Sequence, residues 1–187
     1  MPGAGRLEVI CGPMFAGKTT ELMRRLQEAQ KQGAKVRAIK PARDTRYRAV
    51  ELATHNGQHF PAIPVGEAAE IIAAVGDAAS GGGVVGIDEI HFFGEALVPV
   101  CIGLVNMGAR VIVSGVERNH RGEPFQPFPY LLCEADEVIK LSGTCAVCGG
   151  PSVHSQRMTA SNAHIEVGGA DKYQPRCRAC FEPPRPA

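Results

Sequence analysis

The chain reads as an α/β protein: a parallel sheet flanked by helices, followed by a small cysteine-rich zinc ribbon. Three observations predict this. Short β-branched runs alternate with segments of helical periodicity through the first two thirds. A glycine-rich turn sits between the first such run and the first helix. After Gly143 the long apolar runs stop, and Cys, Pro, Gly and polar residues take over. The 187 residues suffice for one domain of ordinary size plus an appendage, so we expect a core over 1–142 and a subdomain over 143–187.

Taken in order, Arg6 to Cys11 has the composition of a strand. Thr19 to Gln32 places Leu22, Met23 and Leu26 at helical spacing, with Arg24, Arg25, Glu28 and Lys31 available for a wet face and Gly33 closing the helix. Lys35 to Lys40 follows as a strand. Pro41 to Pro64 is polar and proline-punctuated, which predicts a long functional loop. Glu67 to Ala79 carries Ala68, Ile71, Ile72 and Val75 on one helical face, and Gly81 to Gly83 releases the chain into Val84 to Asp88, apolar on both sides of its pleat as a central parallel strand requires. Ala96 to Met107 is helical, Arg110 to Ser114 is another buried strand, and the core ends near Leu141.

Composition excludes several classes. Apolar residues make up 44% and charged residues 21%, so neither disorder nor a fibrous repeat is expected. The formal net charge is +1, far from the basic balance of a nucleic-acid or membrane surface, and no partner of either kind is expected. The N-terminus lacks a basic segment ahead of an apolar core, and no run approaches the roughly 20 apolar residues that span a bilayer. These features predict a cytoplasmic protein. Cys11, Cys101 and Cys133 lie in apolar surroundings and read as buried core thiols.

Gly12-Pro13-Met14-Phe15-Ala16-Gly17-Lys18-Thr19 fits G-x-x-x-x-G-K-[ST]. Glycines let backbone N–H groups curl around phosphate oxygens, Lys18 brings a point charge to the β and γ phosphates, and Thr19 offers a hydroxyl to Mg²⁺. Its place between a strand and a helix predicts a P-loop core of RecA-like type that binds ATP with Mg²⁺. Asp88 and Glu89 end an apolar strand, where a second acidic element belongs. Asp88 is placed to hold the metal and Glu89 to take a proton from the attacking oxygen. Water in an ATPase and a hydroxyl in a kinase are both compatible with that pair. In the loop that follows Lys40, Arg46 can offset phosphoryl charge and Asp44 can reach the metal shell.

Cys145-x-x-Cys148 and Cys177-x-x-Cys180 form a four-thiolate tetrahedral set suited to structural zinc. A terminal segment this small buries too little apolar surface to hold itself together, so the metal supplies the missing stability, about 10 kcal/mol or more. His154 and His164 lie between the two knuckles and are not needed as ligands.

Taken together, GPMFAGKTTELMRR, KPARDTRY, THNG, GIDEIHFF, GEPF, KLSGTCAVCGG, SQRM and VGGADKYQPRCRACF resemble, in order and spacing, the type II zinc-containing thymidine kinases. The resemblance covers nearly the whole chain. It implies ATP-dependent phosphorylation of the 5′-hydroxyl of thymidine, and of deoxyuridine, in nucleotide salvage. It implies Glu89 as catalytic base, and Asp44 and Arg46 facing the phosphates. Around the nucleoside it implies Met14, Phe92 and Phe125, with Tyr173 packing on the base, Ser155 near the thymine methyl, and a lasso of about Thr159 to Lys172 reading the base through its backbone. Gly168 and Gly169 would let that backbone approach closely. A homotetramer and feedback inhibition by thymidine triphosphate are further implications. Two positions depart from the family pattern: His91 stands where Gln is common, and His120 where an aromatic is common.

Overall fold

Alternate residues of the parallel strands face opposite sides of the sheet, and both sides are covered. The computed structural model describes residues 5–44, 50–53, 57–161 and 163–183. Strand β1 (Arg6–Cys11) leads into helix α1 (Lys18–Lys31) and β2 (Val36–Pro41). Next come β3 (Glu51–Ala53), β4 (His59–Pro61) and β5 (Ile63–Val65), then the short helix α2 (Ile71–Val75) and β6 (Val84–Ile87). Helix α3 (Leu97–Asn106), β7 (Arg110–Gly115), α4 (Phe128–Glu134) and β8 (Glu137–Lys140) complete the larger part. The order across the main sheet is β5-β2-β6-β7-β1-β8, and every pairing is parallel.

Leu7, Val9 and Cys11 of β1 join a cluster with Ile71, Leu97, Leu104, Phe128 and Leu131 from the helices on one face. Ile10 of β1 and Ile112 of β7 point to the other, where Leu22, Met23 and Leu26 of α1 cover them. Gly86 in β6 is required for that packing, because a Cβ there would lie 2.7 Å from Leu26 Cδ1. The P-loop after β1 and Asp88–Glu89 after β6 thus sit at the C-terminal edge of the sheet with β7 between them, the edge where open parallel sheets bind ligands.

The structure corrects four expectations. Residues 41–64 are not simply a loop: β5 extends the main sheet at its edge, and the antiparallel β3–β4 hairpin packs Leu52 and Phe60 over α1. Three-residue strands beside prolines carry too little periodicity to be read, and burial decides their conformation. The helix over Glu67 to Ala79 is broken into a 3₁₀ turn, α2 and a second 3₁₀ turn, and Gly76 at φ 53° marks the second break. Arg25 does not face water. It is buried against Glu8, with Glu21 Oε1 at 2.8 Å and Glu137 Oε1 at 2.9 Å, so an apparently wet helix position closes an ion-pair network under α1. Cys133 is exposed on α4, whereas Cys11 and Cys101 are buried as expected.

Beyond Gly143 the chain forms two antiparallel pairs, β9 (Gly143–Thr144) with β10 (Pro151–Ser152), and β11 (His154–Arg157) with β12 (Tyr173–Arg176). Among the described residues, no helix is long and apolar enough to cross a membrane.

Candidate active site and cysteine cluster

Gly12 starts the P-loop at φ 146°, and a Cβ there would lie 2.4 Å from the carbonyl oxygen of Leu141. Only glycine fits. Phe15 at φ 65° and Gly17 at φ 80° complete the reversal into α1. Gly17 is the N-cap and has no side chain to satisfy the first-turn N–H groups, so an anion is their natural acceptor. Lys18 is buried, and its Nζ donates to the Pro13 carbonyl at 2.7 Å, across the loop formed by Pro13, Met14, Phe15 and Ala16.

Asp88 is fully enclosed at the end of β6. Its carboxylate accepts from Thr19 Oγ1 at 2.9 Å, from the Glu89 N–H at 3.0 Å and from Ser114 Oγ on β7. Burial, and then the negative charge of Glu89, push its carboxyl up to about 6 against those hydrogen bonds. Such a crowded acidic pair beside a hydroxyl suits a cation with oxygen ligands. Glu89 adopts φ 49° and ψ 45°, a left-handed conformation rarely taken by a residue with a side chain. A small recess collects Thr19, Lys40, Asp44, Asp88 and Glu89. Of the expected phosphate-side residues, Thr19, Asp44 and Asp88 therefore meet there, whereas Arg46 lies outside the described residues.

A second cleft, of about 480 Å³, is lined by Met14, Glu89, Phe92, Phe125, Ser155, Gly168 and Tyr173. All seven were expected to share one site. Ser155 Oγ accepts the Met14 N–H at 2.9 Å, which fastens β11 to the P-loop. Gly168 does lie in crowded surroundings, but its nearest neighbour is the Lys172 side chain, with Cδ 2.5 Å from a hypothetical Cβ.

Sequence reasoning missed Arg157 as a site residue. Buried on β11, it donates from Nη1 to the carbonyls of Ser161 at 2.9 Å and Ala163 at 2.6 Å, and from Nη2 to Tyr173 Oη at 3.1 Å. Its guanidinium also lies 5.6 Å from the Tyr173 ring centre. Tyr173 Oη in turn donates to the Glu166 carbonyl at 2.8 Å. The Glu166 carboxylate takes Thr159 Oγ1 at 2.7 Å and Lys172 Nζ at 3.1 Å; the Thr159 bond first, then Lys172, hold it below the ordinary carboxylate range. Arg157 is thus the hub that fixes both ends of the 159–172 loop. Only its place in the SQRM segment marks it in the sequence.

Three histidines line the cleft: His91, His120 and His164. His120 is buried beside Arg157, and burial followed by that positive charge lower its pKa. His164 meets Phe125 edge-on at 5.2 Å. His154 is buried and stacks on Phe181 at 4.2 Å, away from any ligand role.

The Sγ atoms of Cys145, Cys148, Cys177 and Cys180 all lie within 4.8 Å of one another and can hold a zinc ion. Tetrahedral zinc with sulfur at 2.3 Å requires sulfurs about 3.8 Å apart, and Cys148 and Cys177 stand at 3.6 Å. The knuckles are tied to the hairpins by Cys145 N–H to the Gly150 carbonyl at 2.7 Å and Ala146 N–H to the Pro175 carbonyl at 2.9 Å. Hydrogen bonds from backbone N–H groups, first that of Cys148, lower the Cys145 thiol to about 6, whereas the neighbouring sulfurs, first Cys177, push Cys180 up to about 12. That mutual opposition is what a divalent cation removes.

A thymidine kinase family model matches residues 5–181. The chain belongs to the thymidine kinase family. A thymidine kinase of Rhodothermus sp. (strain ITI 518) is 47% identical over 182 residues, covering 97% of this chain and 84% of the relative. One of Chloroflexus aurantiacus (strain ATCC 29366 / DSM 635 / J-10-fl) is 42% identical over 188 residues, covering 96% and 95%. One of Bacteroides thetaiotaomicron (strain ATCC 29148 and equivalents) is 39% identical over 177 residues, covering 95% and 87%. Within the thymidine kinase family, the cysteine cluster fits the zinc-containing type.

Proposed function

We propose that this protein transfers the γ-phosphoryl group of ATP to the 5′-hydroxyl of thymidine or deoxyuridine, for nucleotide salvage. One observation carries the reading: Glu89 lines both the phosphate-side cavity and the larger cleft. A single carboxylate therefore faces the place where a hydroxyl in the cleft would meet a phosphoryl group on the P-loop. As the nucleoside O5′–P bond forms and the γ-phosphorus–oxygen bond to ADP breaks, Glu89 takes the hydroxyl proton.

Lys18 and the P-loop N–H groups would neutralise and orient the phosphates, and Arg46 would add to the charge offset. Thr19 and Asp88, with Asp44 near them, would hold Mg²⁺, which neutralises charge on the phosphate oxygens when bound. Phe92, Phe125 and Tyr173 supply flat apolar walls for the nucleoside, and Met14 and Ser155 join them from the P-loop and β11. The 159–172 backbone, Gly168 included, offers N–H and C=O groups for the base edge. Zinc on the four cysteines would set the hairpins that carry this loop. The divided organisation, a catalytic core over 1–142 and a zinc-bearing segment over 143–187, follows from these roles. A homotetramer, feedback inhibition by thymidine triphosphate and a cytoplasmic location rest on the family resemblance.

Replacing Glu89 by Gln tests the reading. Turnover is expected to fall about a hundredfold or more with thymidine affinity nearly unchanged. More than half the original rate in E89Q would remove Glu89 from the chemistry.

A further inference from the structure

His91 sits in the 3₁₀ turn Ile90–Phe92, directly after Glu89 turns through its left-handed conformation. Its Nδ1 lies 3.5 Å from Glu89 Oε2, and both side chains are largely enclosed, at 8% and 12% exposure. The ring is seated on several sides. Phe92 lies 4.4 Å from it between ring centres and Phe125 5.1 Å, both tilted by about 30°. From below comes β7, where Gly115 leaves the room the ring needs: a Cβ there would stand 3.3 Å from Nδ1. A side chain so confined has one orientation, and that orientation turns a nitrogen toward the proposed base.

We propose that His91 is a positioning residue for the phosphoryl transfer: its Nδ1 steers the Glu89 carboxylate toward the cleft so that the carboxylate meets the nucleoside hydroxyl. The inference rests on the reading of Glu89 as base. Glu89 has a flexible three-carbon stem, and proton abstraction requires its oxygen within about 3 Å of the hydroxyl. Phe92 and Phe125 hold the His91 ring, and a polar partner held rigidly beside one oxygen restrains the carboxylate torsion. At 3.5 Å the nitrogen is beyond a good hydrogen bond but close enough for an electrostatic pull on the carboxylate oxygen. His91 lines the cleft beside Glu89, and its steering is exerted on the base.

The test separates steering from packing. H91F keeps an aromatic ring in the seat and removes the nitrogen, and H91Q restores a polar group that can reach Glu89. Expected in H91F is a fall in kcat of about 10- to 100-fold, with KM for thymidine and the melting temperature little changed. H91Q is expected to recover most of the lost kcat. The double variant E89Q/H91F is expected to be no slower than E89Q alone, because steering of the carboxylate is lost once Glu89 is replaced. Should H91F fail to fold, H91M, a flexible apolar filler of the same seat, reads out the same loss.

Full kcat in H91F overturns the inference. So does a loss shared equally by H91Q, or a double variant whose defects multiply. Absence of thymidine-dependent turnover in the unmodified protein would instead defeat the proposed function, which keeps the two failures distinct.

Discussion

The two ends of the site are built differently. At the phosphate end the residues hang on strand ends and on α1, inside a sheet covered on both faces by buried Leu, Ile, Val and Met. At the nucleoside end one wall comes from the core, through Met14, Phe92 and Phe125, and the other from the β11–β12 pair and the 159–172 loop, which Arg157 and Glu166 hold beside a four-cysteine cluster. The first end derives its rigidity from apolar burial, the second from charged hydrogen bonds beside a cysteine cluster that can hold zinc. The comparison teaches that one site can have two independent sources of order, and that they should fail separately.

The largest expected effect comes from removing the metal. In C148S, or after chelation of the unmodified protein, the hairpins lose stabilisation of about 10 kcal/mol. Thymidine binding should disappear by calorimetry while circular dichroism retains the helices and main sheet. ATP affinity should weaken less, since the P-loop is carried by β1 and α1 and meets β11 through the bond from the Met14 N–H to Ser155 Oγ. Simultaneous loss of all structure would break the comparison.

Next is the buried ion network beneath α1. Glu8 is 1% exposed and paired with Arg25 and with Arg110 at 2.7 Å. Burial alone would raise its pKa, but the hydrogen bonds from Arg110 and Arg25 outweigh it and bring it below 4.5. The folded form therefore gains stability above that value and loses it as pH falls through the lowered pKa. E8Q should cost about 3 kcal/mol near neutral pH by urea unfolding, with the difference shrinking in acid as the pH falls through the lowered pKa of Glu8. Because the network lies at the foot of the sheet, thymidine KM should hardly move.

Smaller still is the effect of R157Q, which removes the hub of the nucleoside loop. Several charged hydrogen bonds are lost but water can replace part of them, so KM for thymidine should rise about 10- to 30-fold by steady-state assay. KM for ATP should stay near its original value. An equal rise for both substrates would show that the two ends are not independent.

The same difference in construction explains what the sequence discloses. The P-loop is legible because its chemistry needs glycines, a lysine and a hydroxyl at fixed spacing, and the main strands because burial on both faces demands unbroken apolar runs. The cysteine knuckles are legible for the same reason of fixed spacing. The β3–β4 hairpin and β5 are not, since their three-residue strands are set by contact with α1 and β2. Nor is the inward course of Arg25, which depends on a carboxylate 17 positions away on another element. Arg157 works through partners that the fold brings to it, so only its place in the SQRM segment marks it, and His91 stands out in the sequence only as a departure from the family pattern. Met14, Phe92, Phe125, Ser155, Gly168 and Tyr173 were grouped by family resemblance, and the fold brings them to one cleft.

The central claim is that the two ends together perform a kinase reaction. The direct test is ADP release from ATP and Mg²⁺ with thymidine, deoxyuridine, deoxycytidine or no nucleoside, with products weighed by mass spectrometry. The account predicts release, and a nucleoside monophosphate, with thymidine and deoxyuridine alone, because one methyl is worth only about 1–3 kcal/mol whereas a mismatched hydrogen-bond edge costs far more. Release without nucleoside, or none with thymidine, would contradict it.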